Sequence, residues 1–307
     1  MIELTCPRCH APLDVAEPGA LRCTSCPAFF PRRAEVPVLL DDGAWAGVVE
    51  RLDREAFAIA QYSEARRHSV LNMLYYDWWV ARMFEAVPAT DSGAALELMG
   101  GEAELCRRLP ARFPAAAALD LNARMIESAA RAFRESGETR VTAVCGDAMR
   151  LPFAAGTFSV VLVQGGFHHV RPIMNEVLLE VRRVLRKGGL LVASEPANDA
   201  FITTAIRRWQ YEHSELQGND PEEDGFARSE IVARLEKTGF ALETYENFAY
   251  VAYPLMANMD LLPLLARSRS RALGRSLMRL DDALERMPFL RKHGWLNLFT
   301  ARSRSTA

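Results

Sequence analysis

No apolar run in this sequence reaches the length needed to cross a bilayer, and neither sign of charge dominates it. Lys and Arg number 37 against 39 Asp and Glu, a formal net charge of −2, so no global basic field advertises nucleic acid. No secretory leader is expected ahead of Cys6, because Met1-Ile2-Glu3-Leu4 reads as a strand; an oxidising compartment is therefore not expected, and the cytoplasm is the default. Cysteine is scarce, with six in 307 residues. Half of the residues are apolar and a quarter charged, which fits one large globular domain plus a small one.

Four of the six cysteines stand near the start. Cys6, Cys9, Cys23 and Cys26 form CxxC-x13-CxxC, the spacing of a small zinc ribbon. Each CxxC turn brings two thiolates to one ion, and two turns close a tetrahedral site with no open position, so zinc here is expected to be structural. A pair of disulfides and a ribbon without metal are the alternatives. His10 adjoins a ligand but finds the shell full, and is read as a surface residue. Cys106 and Cys145 lie in apolar patterns and read as buried free thiols.

Residues 1–40 are expected to form the ribbon, closed by Phe29-Phe30-Pro31 and Val36-Pro37-Val38-Leu39-Leu40; Asp41-Asp42-Gly43 marks a turn. A helical linker or cap is expected over 41–90, with one helix at Trp45–Ile59 and a second from His68 to Val87, stopped by Pro88. Its aromatics Tyr75, Tyr76, Trp78 and Trp79 are read as packing against the domain C-terminal to it rather than as a ligand site. From 91 to 307 the pattern is α/β. Strands are expected at Ala94–Met99, Ala116–Leu121, Val141–Cys145, Phe158–Val163 and Leu190–Ser194, with helices at Glu102–Leu109, Ala123–Ser136 and Asn175–Leu185 between them. Such alternation implies a parallel, Rossmann-like sheet with helices on both faces, and ligands at the carboxyl ends of its strands. Later elements are a helix at Ser229–Gly239 and strands at Leu242–Val251 and Trp295–Ala301. Two insertions, about 200–228 and 254–288, are expected to shape an acceptor pocket as helical lids.

The strand ends carry the chemistry. The first ends in Glu97-Leu98-Met99-Gly100-Gly101, the second in Asp120-Leu121-Asn122, the third leads to Gly146-Asp147-Ala148, and the fourth to Gln164-Gly165-Gly166-Phe167-His168-His169. An acid at the second strand end suits both ribose hydroxyls, a carboxylate after the third suits an exocyclic adenine amine, and glycines at the first turn let backbone approach a ligand.

In this order and spacing, residues from about 94 to 200 resemble class I S-adenosylmethionine-dependent methyltransferases, in particular the small-molecule branch with a His-His pair after its fourth strand. The resemblance implies a seven-stranded methyltransferase sheet and S-adenosyl-L-methionine as cofactor. It places Glu97, Gly101 and Asp120 around the methionine and ribose parts, Asp147 and Ala148 at adenine, and Gln164 along the cofactor's edge; Gly100 and Leu121 complete the expected set. The ribbon with its trailing Pro37-Val38-Leu39-Leu40 resembles the zinc-ribbon activators of translation-factor and tRNA methyltransferases, and ribbons fused ahead of other methyltransferases.

One departure stands out. The family's first turn reads acid-x-Gly-x-Gly-x-Gly, and here Met99 and Ala103 replace the outer two glycines. The expected consequence is weakened or rearranged cofactor binding, not its loss. His168, or else His169, is the candidate base for an acceptor with a proton to lose. The expected partner is a small molecule. A ribbon gripping RNA through Arg8, His10, Arg22, Arg32 and Arg33 beside Phe29 and Phe30 is the second reading, and a non-catalytic scaffold the third. A homo-oligomer is compatible with a ribbon acting as a dimer contact.

Overall fold

The computed structural model describes residues 2–17, 19–40, 68–91, 93–213, 225–257, 265 and 268–304. The helix expected at Trp45–Ile59 lies outside them, as do most of the acidic loop 220–225 and part of the apolar run after Pro254.

Eleven strands form one continuous sheet. The first four are β1 (Leu13–Glu17), β2 (Ala20–Cys23), β3 (Phe29–Arg33) and β4 (Val36–Leu39); the rest are β5 (Ala95–Leu98), β6 (Ala116–Asp120), β7 (Val141–Gly146), β8 (Phe158–Gln164), β9 (Leu185–Pro196), β10 (Phe240–Phe248) and β11 (Leu296–Ser303). Their order is β1-β2-β3-β4-β7-β6-β5-β8-β9-β11-β10. Strands β5 to β9 run parallel, and β11 enters antiparallel between β9 and β10. Strand order reverses between β5 and β8, which opens a crevice at their carboxyl ends.

The ribbon's small sheet is closed by β3 pairing antiparallel to β4, through Arg32 with Pro37 and Arg33 with Val36. Its last strand joins the large sheet, β4 pairing parallel to β7 through Val38 with Cys145 and Leu39 with Gly146. Two further bonds tie the same side, Thr5 N to Pro152 O at 2.8 Å and Ile2 N to Thr142 Oγ1 at 3.2 Å. Strand β4 thus has β3 on one side and β7 on the other, and joins the ribbon to the large sheet.

Helices cover both faces. On one face lie α1 (Val70–Glu85) and α2 (Ala123–Ser136), and on the other α3 (Met174–Val184); α4 (Phe201–His213) follows β9, α5 (Arg228–Lys237) shares the face of α3, and α6 (Arg271–Glu285) packs on α1. The apolar residues of α2, Ala123, Ile126, Ala129, Ala130 and Phe133, recur at three- and four-residue steps and are all buried. Asn122 Oδ1 caps its start by accepting from Met125 N, and Gly137, at φ 71°, ends it in the left-handed conformation. Packing accounts for the aromatics of α1, as read from the sequence: Tyr75 is fully buried, Trp78 meets Phe248 edge-on, and Trp79 Nε1 donates to Ser194 Oγ at 2.9 Å.

The helix expected at Glu102–Leu109 does not form. After β5 come turns and one short 3-10 turn at Cys106–Arg108. Glu97 explains the difference. Its carboxylate, 1% exposed, accepts from Leu105 N at 3.1 Å and Cys106 N at 2.7 Å, which holds this segment in turns beneath the strand end. Strand β9 also begins earlier than expected, straight from the end of α3, because Leu185 pairs with Phe158.

Burial pushes the Glu97 carboxyl up to about 7, against two backbone donors that pull it down. The folded chain then holds a proton that the unfolded chain releases, so stability falls as pH rises from about 4.5 to about 7 and is flat above that. For Glu97→Gln, urea denaturation at both ends of this window is expected to favour the variant over wild type by roughly 2–3 kcal/mol more at the upper end. An unchanged difference between the two proteins across the window overturns this assignment.

Candidate active site

Three residues of the turn after β5 take left-handed backbone: Met99 at φ 55°, Gly101 at φ 55° and Ala103 at φ 58°. These are the positions where the related motif has glycine. For Met99 and Ala103 this conformation costs roughly 1–2 kcal/mol each, so neighbouring contacts must hold it. Asp120 Oδ2 accepts from Gly101 N at 2.7 Å, and Ala103 N donates to Gly100 O at 2.8 Å. The two remaining glycines are sterically fixed. A Cβ on Gly100 would lie 2.7 Å from Glu97 Cγ, and one on Gly101 would lie 2.8 Å from Met125 Cε.

Met99 lies against the opposite strand end. A Cβ on Gly166 would come within 2.8 Å of Met99 Cβ and 3.1 Å of its Cε. The side chain thus crosses the crevice toward the turn after β8, where a glycine receives it. A glycine displaced from one wall is matched by one on the other.

Asp120 is half-buried and raised above the usual carboxylate range by desolvation. Besides Gly101 it accepts from Asn122 N, at 2.7 Å on Oδ1. An ionised carboxylate offers about four lone-pair sites, so two hydroxyls can still be accommodated. Leu121 beside it is half-buried, and its carbonyl accepts from Cys145 Sγ at 3.4 Å. Asp147 is buried and likewise raised by desolvation; its Oδ1 accepts from Met149 N at 2.8 Å. Ala148 is buried next to it. Their loop is pinned by α3, where Arg183 donates to Phe153 O and Leu151 O at 2.7 and 2.8 Å.

Gln164, at the end of β8, has a buried Nε2 with no hydrogen-bond partner among the described residues. A buried amide without an acceptor carries a desolvation cost of about 1–3 kcal/mol. The unmet donor stands at the carboxyl end of β8, beside the crevice. Glu97, expected near the ligand, instead lies under the turn and acts through it.

Glu195, which sequence reasoning passed over, organises the turn after β8. Fully buried at the end of β9, it accepts on Oε1 from Gly166 N at 2.9 Å and Phe167 N at 2.8 Å. Its Oε2 meets His168 Nδ1 at 2.8 Å and accepts from His168 N at 3.3 Å. With Nδ1 donating to this carboxylate, the Nε2 of neutral His168 is left as an acceptor. His169 is exposed and its ring sits 4.0 Å from that of His168, centroid to centroid. A Ser-Glu-Pro ending on a central strand, opposite a His-His pair, was the available signal.

At the ribbon, the Sγ atoms of Cys6, Cys9, Cys23 and Cys26 all lie within 4.8 Å of one another. Cys6 and Cys26 are 3.7 Å apart and Cys9 and Cys23 3.4 Å, far beyond a disulfide bond of about 2.05 Å and close to the edge of about 3.8 Å set by four Zn–S bonds of about 2.3 Å. Ser25 N and Cys26 N also donate to Cys23 Sγ. His10 is exposed. Of the basic-aromatic set, Phe30 is in the core, Arg33 pairs with Glu127 at 3.0 Å, and Arg32 donates to Glu35 O at 3.0 Å.

Residues 96–193 match the family model described as a methyltransferase domain. The chain is 26% identical over 215 residues, 60% of itself and 82% of the relative, to the ubiquinone/menaquinone biosynthesis C-methyltransferase of Cereibacter sphaeroides. It is 34% identical over 146 residues, 45% of itself and 60% of the relative, to the demethylmenaquinone methyltransferase of Mycolicibacterium vanbaalenii. Among solved structures, a methyltransferase in complex with the Trm112 methyltransferase activator of Haloferax volcanii superposes with a TM-score of 0.55 at 16% identity, covering 83% of this chain and 97% of that one, which shows shared fold. The sheet order with its antiparallel strand β11 and these matches agree: residues 96–193 are a methyltransferase domain, and the chain resembles the class I S-adenosylmethionine-dependent methyltransferases.

Proposed function

We propose that the chain methylates a small, largely apolar biosynthetic acceptor of quinol type, using S-adenosylmethionine, with one structural zinc ion in the ribbon. The observation that carries this reading is the His168–Glu195 pair, 2.8 Å apart at the crevice, in a chain similar to quinone C-methyltransferases.

The residues fit the cofactor. Asp120 accepts the ribose hydroxyls, while Gly100 and Gly101 let the turn approach closely. Asp147 accepts the adenine amine, with the backbone of Ala148 at the ring and Leu121 beside it. Gln164 Nε2 gains the acceptor it lacks. When bound, S-adenosylmethionine supplies a methyl group that is already activated. What remains for the chain is alignment, exclusion of water and one proton. His168 Nε2 takes the proton of an acceptor hydroxyl as the ring becomes nucleophilic, and Glu195 steadies the resulting imidazolium; after transfer the methylated ring carbon gives up its own hydrogen, the oxygen is reprotonated, and one proton in all leaves to water. His169 stacks on His168 and is the second candidate base. Helices from the insertions supply apolar cover for the acceptor.

An RNA acceptor has less support, since Phe30 is packed in the core and Arg33 is bonded to Glu127. The cytoplasm remains the proposed compartment; no helix among the described residues is long and apolar enough to cross a membrane.

Transfer of labelled methyl from S-adenosylmethionine to a demethylmenaquinol-type acceptor tests the function directly; no transfer to any quinol, with RNA labelled instead, reverses it. Asp120→Ala is expected to weaken S-adenosylmethionine binding about 100-fold or more in calorimetry, given two charged hydrogen bonds lost, while circular dichroism stays unchanged. His168→Gln should lower kcat by about 10²–10⁴ and leave cofactor affinity intact, whereas the same loss in His169→Gln alone moves the base to His169. Elemental analysis should find one zinc per chain, and chelation should lower the melting temperature; a metal-free protein of equal stability removes the zinc site.

A further inference from the structure

The outer face of α6 and the turn after it are not used by methyl transfer. Helix α6 is fixed from its inner side. Its Ser270 cap accepts from Leu273 N at 3.2 Å, and Gly274 packs so closely on Leu71, Leu74 and Met256 that a Cβ would meet them at 2.9–3.3 Å. The acids of the helix all have partners. Asp281 is 1% exposed and accepts from Val251 N and Ala252 N, while Asp282 and Glu285 both pair with Arg82 on α1.

The outer face is mainly positive, with the half-exposed Asp282 the one acid among its arginines on the helix. Arg271, Arg275, Arg279 and Arg286 are exposed, and at about 100° per residue they share one flank of the helix. The other flank of the exposed face presents Leu280 and Met287, 46% and 40% exposed. Tight turns follow, with Phe289 at 73% exposure and Arg291 exposed two residues on. None of these five cations pairs with a carboxylate among the described residues.

We propose that this face docks the protein on an anionic phospholipid bilayer, with the cations at the headgroups and Leu280, Met287 and Phe289 entering the acyl boundary. Charge complementarity selects an anionic partner. The apolar flank selects lipid over nucleic acid, because a phosphate backbone alone gives three water-exposed apolar side chains nowhere to go, whereas an interface takes both flanks together. This surface is independent of the acceptor's identity.

The test is cosedimentation of the full chain with vesicles of phosphatidylcholine alone or mixed with phosphatidylglycerol, at low and high salt. Binding is expected only to the mixed vesicles, and weaker at high salt. At about five-fold per cation, Arg275→Gln with Arg279→Gln should reduce it about 25-fold, and the charge reversals Arg275→Glu, Arg279→Glu and Arg286→Glu should abolish it. Met287→Ser with Phe289→Ser should weaken binding several-fold without changing its salt dependence. Affinity for S-adenosylmethionine, measured on each variant, should stay at the wild-type value and certifies the fold. Failure to bind mixed vesicles, equal binding to neutral ones, wild-type binding by the double glutamine variant, or capture of an RNA hairpin in place of vesicles each overturns the proposal.

Discussion

A hydrogen bond between the ends of neighbouring strands, Gly101 N to Asp120 Oδ2 at 2.7 Å, sits at the centre of this active site. The turn after β5 must hold three left-handed residues within five, two of which have side chains that resist it. Backbone propensity alone would release such a turn into the helix that the sequence pattern suggests. Asp120 fastens it from the side of β6, and Glu97 from below takes the amides of Leu105 and Cys106 that a helix would have used otherwise. The shape of the cofactor turn is thus imposed by two carboxylates rather than by glycine, which is why substitution of the outer glycines leaves the conformation standing.

The second wall of the crevice has the same logic. Glu195 collects the amides of Gly166, Phe167 and His168 and the imidazole of His168 on two oxygens. Ser194, one residue earlier, links Trp79 of α1 to the carbonyl of Asn297 on β11. The turn after β8 is therefore built from β9, and β9 is braced by α1 and β11. An imidazole held in one orientation by a buried carboxylate can present one nitrogen consistently, which general base chemistry requires.

Much of this was legible in the sequence, and what was not had a physical cause. Strands β5 to β8 read clearly because each is a short, mainly apolar run bounded by turn residues, and β5, β6 and β8 are buried almost throughout. Helix α2 read clearly because its period and both caps agree. Glu102–Leu109 misled because Ala103, Leu105, Cys106 and Leu109 keep helical spacing, while the agent that prevents the helix, Glu97, is a local acid whose direction no pattern reveals. Glu195 was passed over for a related reason: a lone acid in an apolar strand does not announce the amides it gathers from another strand. Met99 looked damaging in isolation, because the glycine that accommodates it, Gly166, lies 67 positions further along.

The ribbon shows how a small unit gains a place in a large sheet. Parallel pairing of β4 with β7 extends the sheet beyond its third methyltransferase strand and covers an edge that would otherwise be open to other chains. Leu39 pairs with Gly146, the residue directly before Asp147, and Thr5 reaches Pro152 at the far side of the same loop. The loop that carries Asp147 and Ala148 is consequently held from two directions, by the ribbon on one side and by Arg183 of α3 on the other. Four cysteine sulfur atoms, all within 4.8 Å of one another, lie at the base of that ribbon. Whatever fixes their spacing also fixes the path from Cys6 through Thr5 to Pro152, so order in the cysteine cluster and order in the loop of Asp147 and Ala148 are mechanically one problem.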